Sequence, residues 1–165
     1  MQLQIDRVET PIGEVAVVAS SKALVALDFV NCSARMDHLI ASRFGAVELQ
    51  TVSDPAGFSA RVRAYFSGTL DALEDVPVKT GGTPFQREVW RALRSVPVGE
   101  TTSYGEIAAS LDRASAARAV GAANAANLIA LAIPCHRVIG SDGSLTGYAG
   151  GVERKRWLLR HEKAL

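Results

Sequence analysis

The chain has 165 residues, 48% hydrophobic and 21% charged, with a formal net charge of +1 and two cysteines, Cys32 and Cys135. That is chain enough for one domain or two small ones around a real core; it is too polar throughout for a bilayer span, and two cysteines make no disulfide framework. Charge divides unevenly: residues 1–77 hold six Lys/Arg against ten Asp/Glu, net −4, and residues 78–165 hold twelve against seven, net +5.

Such asymmetry fits an anionic partner for the second half, or chance scatter over a solvated surface. The start, Met1-Gln2-Leu3-Gln4-Ile5-Asp6, lacks the basic head and apolar block of a secretory leader, so a cytoplasmic, reducing location is expected.

Residues 1–31 read as strands. Val15 and Val17, then Leu24 and Ala26, alternate with other positions, and Pro11-Ile12-Gly13 marks a turn. Ser33 is placed to cap a helix carrying Met36, Leu39, Ile40 and Phe44 on one face. Residues 46–52 are suited to return as a strand. Asp54-Pro55 opens a helix with Phe58, Val62, Tyr65 and Phe66 at helical spacing, and Ser67-Gly68 closes it. Residues 69–80 form an acidic connector. The charge sign changes there, which places a domain boundary between 1–77 and 78–165.

The second half starts with Thr83-Pro84-Phe85-Gln86: a cap, a proline at the first helical position and a capping-box glutamine. Ser103-Tyr104-Gly105-Glu106 reads as another capping box, opening a short helix to about Leu111. A second helix is expected over 114–126, making a helix-turn-helix. Residues 128–133 are a short buried run, strand or extended. A glycine-rich loop spans 140–151, and a last helix runs from Val152 to about Lys163, basic on one side.

Chemistry concentrates in Ile133-Pro134-Cys135-His136-Arg137-Val138. A cysteine of ordinary pKa, about 8.5, is only a few per cent thiolate at neutral pH and needs help to act as a nucleophile. Adjacent side chains on an extended segment point apart, so a direct Cys135–His136 hydrogen bond is awkward and a bridging water suits better. A lone cysteine with a loop histidine is more often simply buried packing. Pro-Cys-His-Arg together is harder to read that way. Cys32, His38, His136 and His161 have no zinc-ligand spacing, so no metal or other cofactor is expected.

Pro134-Cys135-His136-Arg137-Val138-Ile139-Gly140 resembles the active-site signature of O6-methylguanine-DNA methyltransferases. Gly99-Glu100-Thr101-Thr102-Ser103-Tyr104-Gly105-Glu106, Ala117-Arg118-Ala119-Val120-Gly121, Gly147-Tyr148-Ala149-Gly150-Gly151 and Trp157-Leu158-Leu159-Arg160-His161-Glu162 fit the same family at consistent spacing. The resemblance implies an α/β fold: a small N-terminal domain of antiparallel sheet plus helices, ribonuclease H-like, followed by a mostly helical domain carrying the helix-turn-helix. It implies suicide transfer of an alkyl group from O6-alkylguanine, and from O4-alkylthymine, in double-stranded DNA. The acting protein would be a monomer able to assemble cooperatively on DNA, with no membrane partner.

By the same resemblance Cys135 is the acceptor, His136 its base through a water, and Glu162 the acid that orients His136. Asn127 is the hinge between recognition helix and active site. Tyr104 helps rotate the base out and donates to its N3. Arg118 enters the vacated stack. Ala119, Gly121 and Ala122 give a slim helix suited to the narrow minor groove. Arg113 and Ser141 flank the site near phosphates, and Val138, Tyr148 and Ala149 line the guanine and alkyl pocket. The family's Asn-Pro is here Asn127-Leu128, and a proline at 128 is expected to stabilise the turn if the local angles permit. Two rivals stand beside this reading. One is a cysteine hydrolase of Cys135, His136 and Glu162; the other is a lesion-sensing relative, which would lack the acceptor cysteine.

Overall fold

A computed structural model describes residues 1–165. The chain divides into two compact units: Met1–Gly81 with Leu128–Ala132, and Gly82–Asn127 with Ile133–Leu165. No helix is long and apolar enough to cross a membrane.

The first unit is a four-stranded sheet with two helices. Strands β1 (Gln2–Thr10), β2 (Gly13–Ala19) and β3 (Leu24–Phe29) form an antiparallel meander, with β1 and β2 joined through Pro11 and Ile12. Helix α1 (Ser33–Phe44) then crosses over, so that β4 (Glu48–Thr51) joins β1 in parallel and the sheet order is β3-β2-β1-β4. The sheet is therefore mixed, because a return through a helix delivers a strand in the same direction as its neighbour. The alternation expected for β2 and β3 is absent: Val15 to Ala19 and all of β3 are buried. Both faces are covered, which removes the polar face that alternation requires.

Met36 and Ile40 of α1 pack with Leu3, Ala16, Val18, Val25, Ala26 and Leu128. Ser33 does not cap α1; it is the first helical residue, and no side chain caps that end. Helix α2 (Phe58–Phe66) follows a 3-10 turn at Pro55–Gly57 and packs against β1 and β2. Asp6 of β1 secures its start, accepting from Asp54 N at 3.0 Å and Ser59 Oγ at 2.8 Å.

The outer edge of β3 is covered twice by short parallel bridges. Leu24 pairs with Val78, and Leu27 pairs with Ile129. Leu27 N donates to Leu128 O at 2.9 Å, and Ala130 N donates back to Leu27 O at 2.8 Å. Residues 128–133, expected as strand or extended chain, are thus buried, and 128–130 run as a one-bridge strap. The strap then turns sharply: Ala132 N bonds Ala130 O at 2.8 Å around Leu131, whose φ is +69°. That is a γ-turn of the rare positive-φ kind, strained for a branched side chain and tolerated here by the packing around it.

The second unit is helical. Helix α3 (Pro84–Arg94) begins with a complete capping box, Thr83 Oγ1 accepting from Gln86 N and Gln86 Oε1 from Thr83 N. Helix α4 (Tyr104–Ser110) has half of the expected box: Ser103 Oγ accepts from Glu106 N, but the Glu106 carboxylate accepts instead from Thr102 Oγ1 at 3.1 Å. Helix α5 (Ala117–Ala125) starts three residues later than the alanine content suggests, because residues 111–116 are needed for a turn in which Asp112 has φ +57°. Helix α6 (Val152–His161) closes the unit, with Leu158 and Leu159 buried.

Candidate active site

Cys135 opens a one-turn 3-10 segment, Cys135–Arg137, and is 7% exposed. Pro134 before it has φ −79° and ψ 66°, the centre of an inverse γ-turn closed by Cys135 N to Ile133 O at 2.7 Å. Proline suits that turn because its ring already sets φ. The same Ile133 carbonyl accepts Asn127 Nδ2 at 2.8 Å. Asn127 is 5% exposed, so its amide fastens the end of α5's exit to the turn that presents the thiol. On the other side, Thr102 N donates to Arg137 O at 2.9 Å and Ile139 N to Thr102 O at 2.8 Å. Thr102 thereby ties the cysteine turn to the chain entering α4, two residues before Tyr104.

Glu162 stands just past the last turn of α6, where helix carbonyls disfavour a carboxylate. It is 2% exposed and fully partnered. His136 Nε2 lies 2.8 Å from Oε2; Arg137 Nε donates to Oε1 at 2.8 Å and Nη2 to Oε2 at 3.1 Å. Arg137 also donates from Nη1 to Val96 O at 2.7 Å. His136 is wholly buried, and burial pushes its imidazole below the usual 6.5; Glu162 opposes this, while the charges of Arg137 and Lys155 add to it. A neutral imidazole giving its Nε2–H to Glu162 leaves Nδ1 as a bare acceptor. That atom is buried with no protein hydrogen-bond partner. A base with its other nitrogen fixed by a carboxylate is therefore built next to the thiol in the chain.

Arg137 stands out in the sequence as part of Pro-Cys-His-Arg, but its partner does not, since only the fold brings Glu162 to it. Lys155 is the charged residue of this centre that the sequence reading leaves out, although it carries a signal. Lys155, Leu158, Leu159 and Glu162 follow the i, i+3, i+4, i+7 spacing of a buried helical face, so the basic side expected of α6 excludes this lysine. Lys155 is fully buried, and Nζ donates to Thr146 O at 2.7 Å. Burial lowers its ammonium pKa, and a thiolate at Cys135 opposes that.

Tyr104 begins α4 and is half-buried. Burial raises its phenol pKa; side-chain hydrogen bonds from Asn124 and Thr146 pull it down, and negative charge at Cys135 pushes it up. The structure thus brings Cys135, His136, Glu162, Asn127 and Tyr104 into one neighbourhood. Val138 is fully buried in the segment following the cysteine turn, and Tyr148 is half-buried with its hydroxyl inside.

The residues expected to face a nucleic acid lie mostly at the surface of this unit. Arg118, Ala119 and Ala122 are exposed on α5, Ser141 and Ala149 are exposed on the 140–151 loop, and Gly121 is half-buried. A Cβ at Gly121 would come within 3.9 Å of the Tyr104 ring, so this glycine lets the ring lie close to α5. Arg113 is exposed, 3.5 Å from Glu88 and stacked 5.2 Å over the Phe85 ring. No group of three or more His, Cys, Asp or Glu is arranged to hold a metal ion.

Known proteins match along both units. The 6-O-methylguanine DNA methyltransferase DNA binding domain matches residues 84–164, and the ribonuclease-like domain of the same enzymes matches residues 7–80. A methylated-DNA–protein-cysteine methyltransferase of Salmonella typhimurium is 48% identical over 98% of this chain and 96% of its own length. One from Methanosarcina barkeri is 42% identical over 96% of each. The Mycobacterium tuberculosis O6-methylguanine methyltransferase superposes with a TM-score of 0.81 at 38% identity, covering 98% of this chain and 93% of that one. Mycobacterium tuberculosis OGT in complex with DNA gives 0.81 at 38% identity, covering 99% and 94%. With both domain families matched in order and relatives similar along their whole length, the chain belongs to the 6-O-methylguanine DNA methyltransferase family.

Proposed function

We propose that this protein repairs DNA directly, by moving an alkyl group from O6 of guanine onto Cys135 in a single, irreversible turnover. The observation that carries this is the buried Glu162–His136 pair beside Cys135, with His136 Nδ1 unpartnered, in a chain of this family. The Cys135 proton passes through a water to Nδ1, and Glu162 stabilises the imidazolium that forms. Sγ then attacks the alkyl carbon in line. A carbon–sulfur bond forms, the carbon–O6 bond breaks, and its electron pair leaves with guanine, which takes up one proton. Tyr104 donates to the guanine N3 as that charge develops. The product thioether offers water no carbonyl to attack, so the thiol is not regenerated.

The nucleophile cannot reach O6 inside a stacked duplex, so the base is extruded. Arg118 fills the gap and α5 lies in the minor groove, its small exposed alanines suiting a groove only about 6 Å wide. Arg113 and Ser141 contact phosphates; Val138, Tyr148 and Ala149 form the guanine and alkyl pocket. O4-alkylthymine is a second substrate of the same pocket. The protein acts as a monomer, assembles cooperatively on DNA, and works in the cytoplasm, where bacterial DNA lies.

Intact-mass spectrometry after mixing with duplex DNA containing O6-methylguanine tests this. One methyl should replace one hydrogen on Cys135, stoichiometrically, and Cys135→Ser should bind DNA without transfer. Continued turnover on excess lesion overturns the suicide reading.

A further inference from the structure

Asn124 takes no part in the reaction just described, yet its placement is specific. It is 6% exposed on α5, and its Oδ1 is buried with no hydrogen-bond partner. Gly121 and Asn124 lie one turn apart on the same face of α5, and both meet Tyr104. The ring lies against Gly121, and the hydroxyl meets the Asn124 amide. On its other side the hydroxyl bonds the Thr146 side chain, 3.8 Å from where a Cβ of Gly147 would stand.

A phenolic hydroxyl has one proton to give and lone pairs to receive. Asn124 Oδ1 has no partner, so the amide meets the hydroxyl through its Nδ2–H, as a donor. The Tyr104 proton is then not spent on Asn124. We propose that Asn124 is a positioning residue, which holds the Tyr104 hydroxyl as an acceptor toward α5 and so leaves its proton for the ring nitrogen of the extruded base. This rests on the place given to Tyr104 in the proposed function.

A purely structural asparagine predicts something different. Its buried Oδ1 is unpaired, which costs stability. Leucine, of similar size and without polar atoms, would relieve that cost and leave repair untouched. A positioning asparagine predicts a stable but slow protein.

Single-turnover transfer from O6-methylguanine duplex separates the two, because its amplitude counts folded protein and its rate constant reports the chemistry. The variants are Tyr104→Phe, Asn124→Leu and the double substitution, with Asn124→Ser in the same cycle if Asn124→Leu gives little folded protein. Asn124→Leu should keep its amplitude and slow transfer on the order of tenfold, the worth of one hydrogen bond. The double variant should be no slower than Tyr104→Phe alone, and the phenol titration of Tyr104 should move upward in Asn124→Leu. Losses that multiply in the double variant overturn the proposal. So does a wild-type rate in Asn124→Leu while Tyr104→Phe is slow. A wild-type rate in Tyr104→Phe itself overturns the role of Tyr104, and the proposal with it.

Discussion

Arg137 grips both carboxylate oxygens of Glu162, through Nε at 2.8 Å and Nη2 at 3.1 Å, while His136 shares one of them. A carboxylate in that position would otherwise be both desolvated and opposed by the end of α6. Removing one partner of a buried ion pair typically costs about 3–5 kcal/mol, because the other is left buried and uncompensated. Arg137→Leu should lower stability on that scale, read from the urea midpoint. Arg137→Lys should restore little, since an ammonium cannot reproduce the two-pronged fork. Full stability in Arg137→Lys would show that charge alone, without geometry, secures Glu162.

The pH dependence follows from His136. Its pKa is lowered from 6.5 in the folded protein, chiefly by burial. As pH falls through 6.5 the unfolded chain takes up a proton that the folded protein refuses. Stability from this group is therefore complete above the unfolded pKa and is lost on going down toward the folded one. The base is likewise neutral throughout that range. Single-turnover rates should stay level as pH is lowered through about 6.5 and fall only in more acidic buffer. A rate profile with its midpoint at or above that value would mean that burial does not hold the imidazole neutral.

Asn127 and Leu128 act on opposite sides of one peptide bond. Asn127→Ala removes the bond to Ile133 O and should cost about 1–3 kcal/mol, with a slower transfer rate as the cysteine turn loosens. For Leu128 the structure reverses the benefit expected of proline. The side chain is 1% exposed and belongs to the cluster around Met36 and Ile40. Proline would gain about 0.4–1 kcal/mol from a stiffer unfolded chain but forfeit part of a leucine's packing, which in full truncation costs about 2–5 kcal/mol. Leu128→Pro should melt below the parent; an increase in Tm would show that the strap repacks around the ring.

Arg118 should matter only where a base has to leave a stack. Arg118→Ala should slow repair of duplex DNA far more than repair of a single-stranded oligonucleotide carrying the same lesion. Binding of both should weaken with rising salt, as phosphate contacts release counterions. Equal losses on the two substrates would take Arg118 out of the extrusion step.

Where local chemistry decides, the sequence is legible. Thr83-Pro84-Phe85-Gln86 specifies its cap with nearby atoms alone, and the structure contains every bond of it. Ser33 shows the limit of such reading, because a 3-10 turn at Val30–Cys32 carries the chain directly into α1 without a side-chain cap. The parallel pairing of β4 and the two-sided burial of β2 and β3 depend on where helices land, which no short window contains. At the candidate site, Pro-Cys-His-Arg and Glu162 stand out by residue type. Lys155 was hidden only by its charge, since its spacing is that of a core residue. Asn124 becomes visible only once Tyr104 is set beside it, and what Arg137 does only once Glu162 is.

The strap on β3 also bears on synthesis. Leu27 emerges from the ribosome long before Leu128 and Ile129, the residues that cover its outer edge. On the order of fifty residues separate Gly81 from the strap, several seconds of translation at about 5–20 residues per second. Through that interval the nascent first unit has an open strand edge at Leu27, the feature that templates pairing between chains, and it lacks Leu128 from its core. Conditions that stall elongation between those points should therefore favour aggregation of the nascent chain, and a short strap supplied from the second half of the chain ends that exposure.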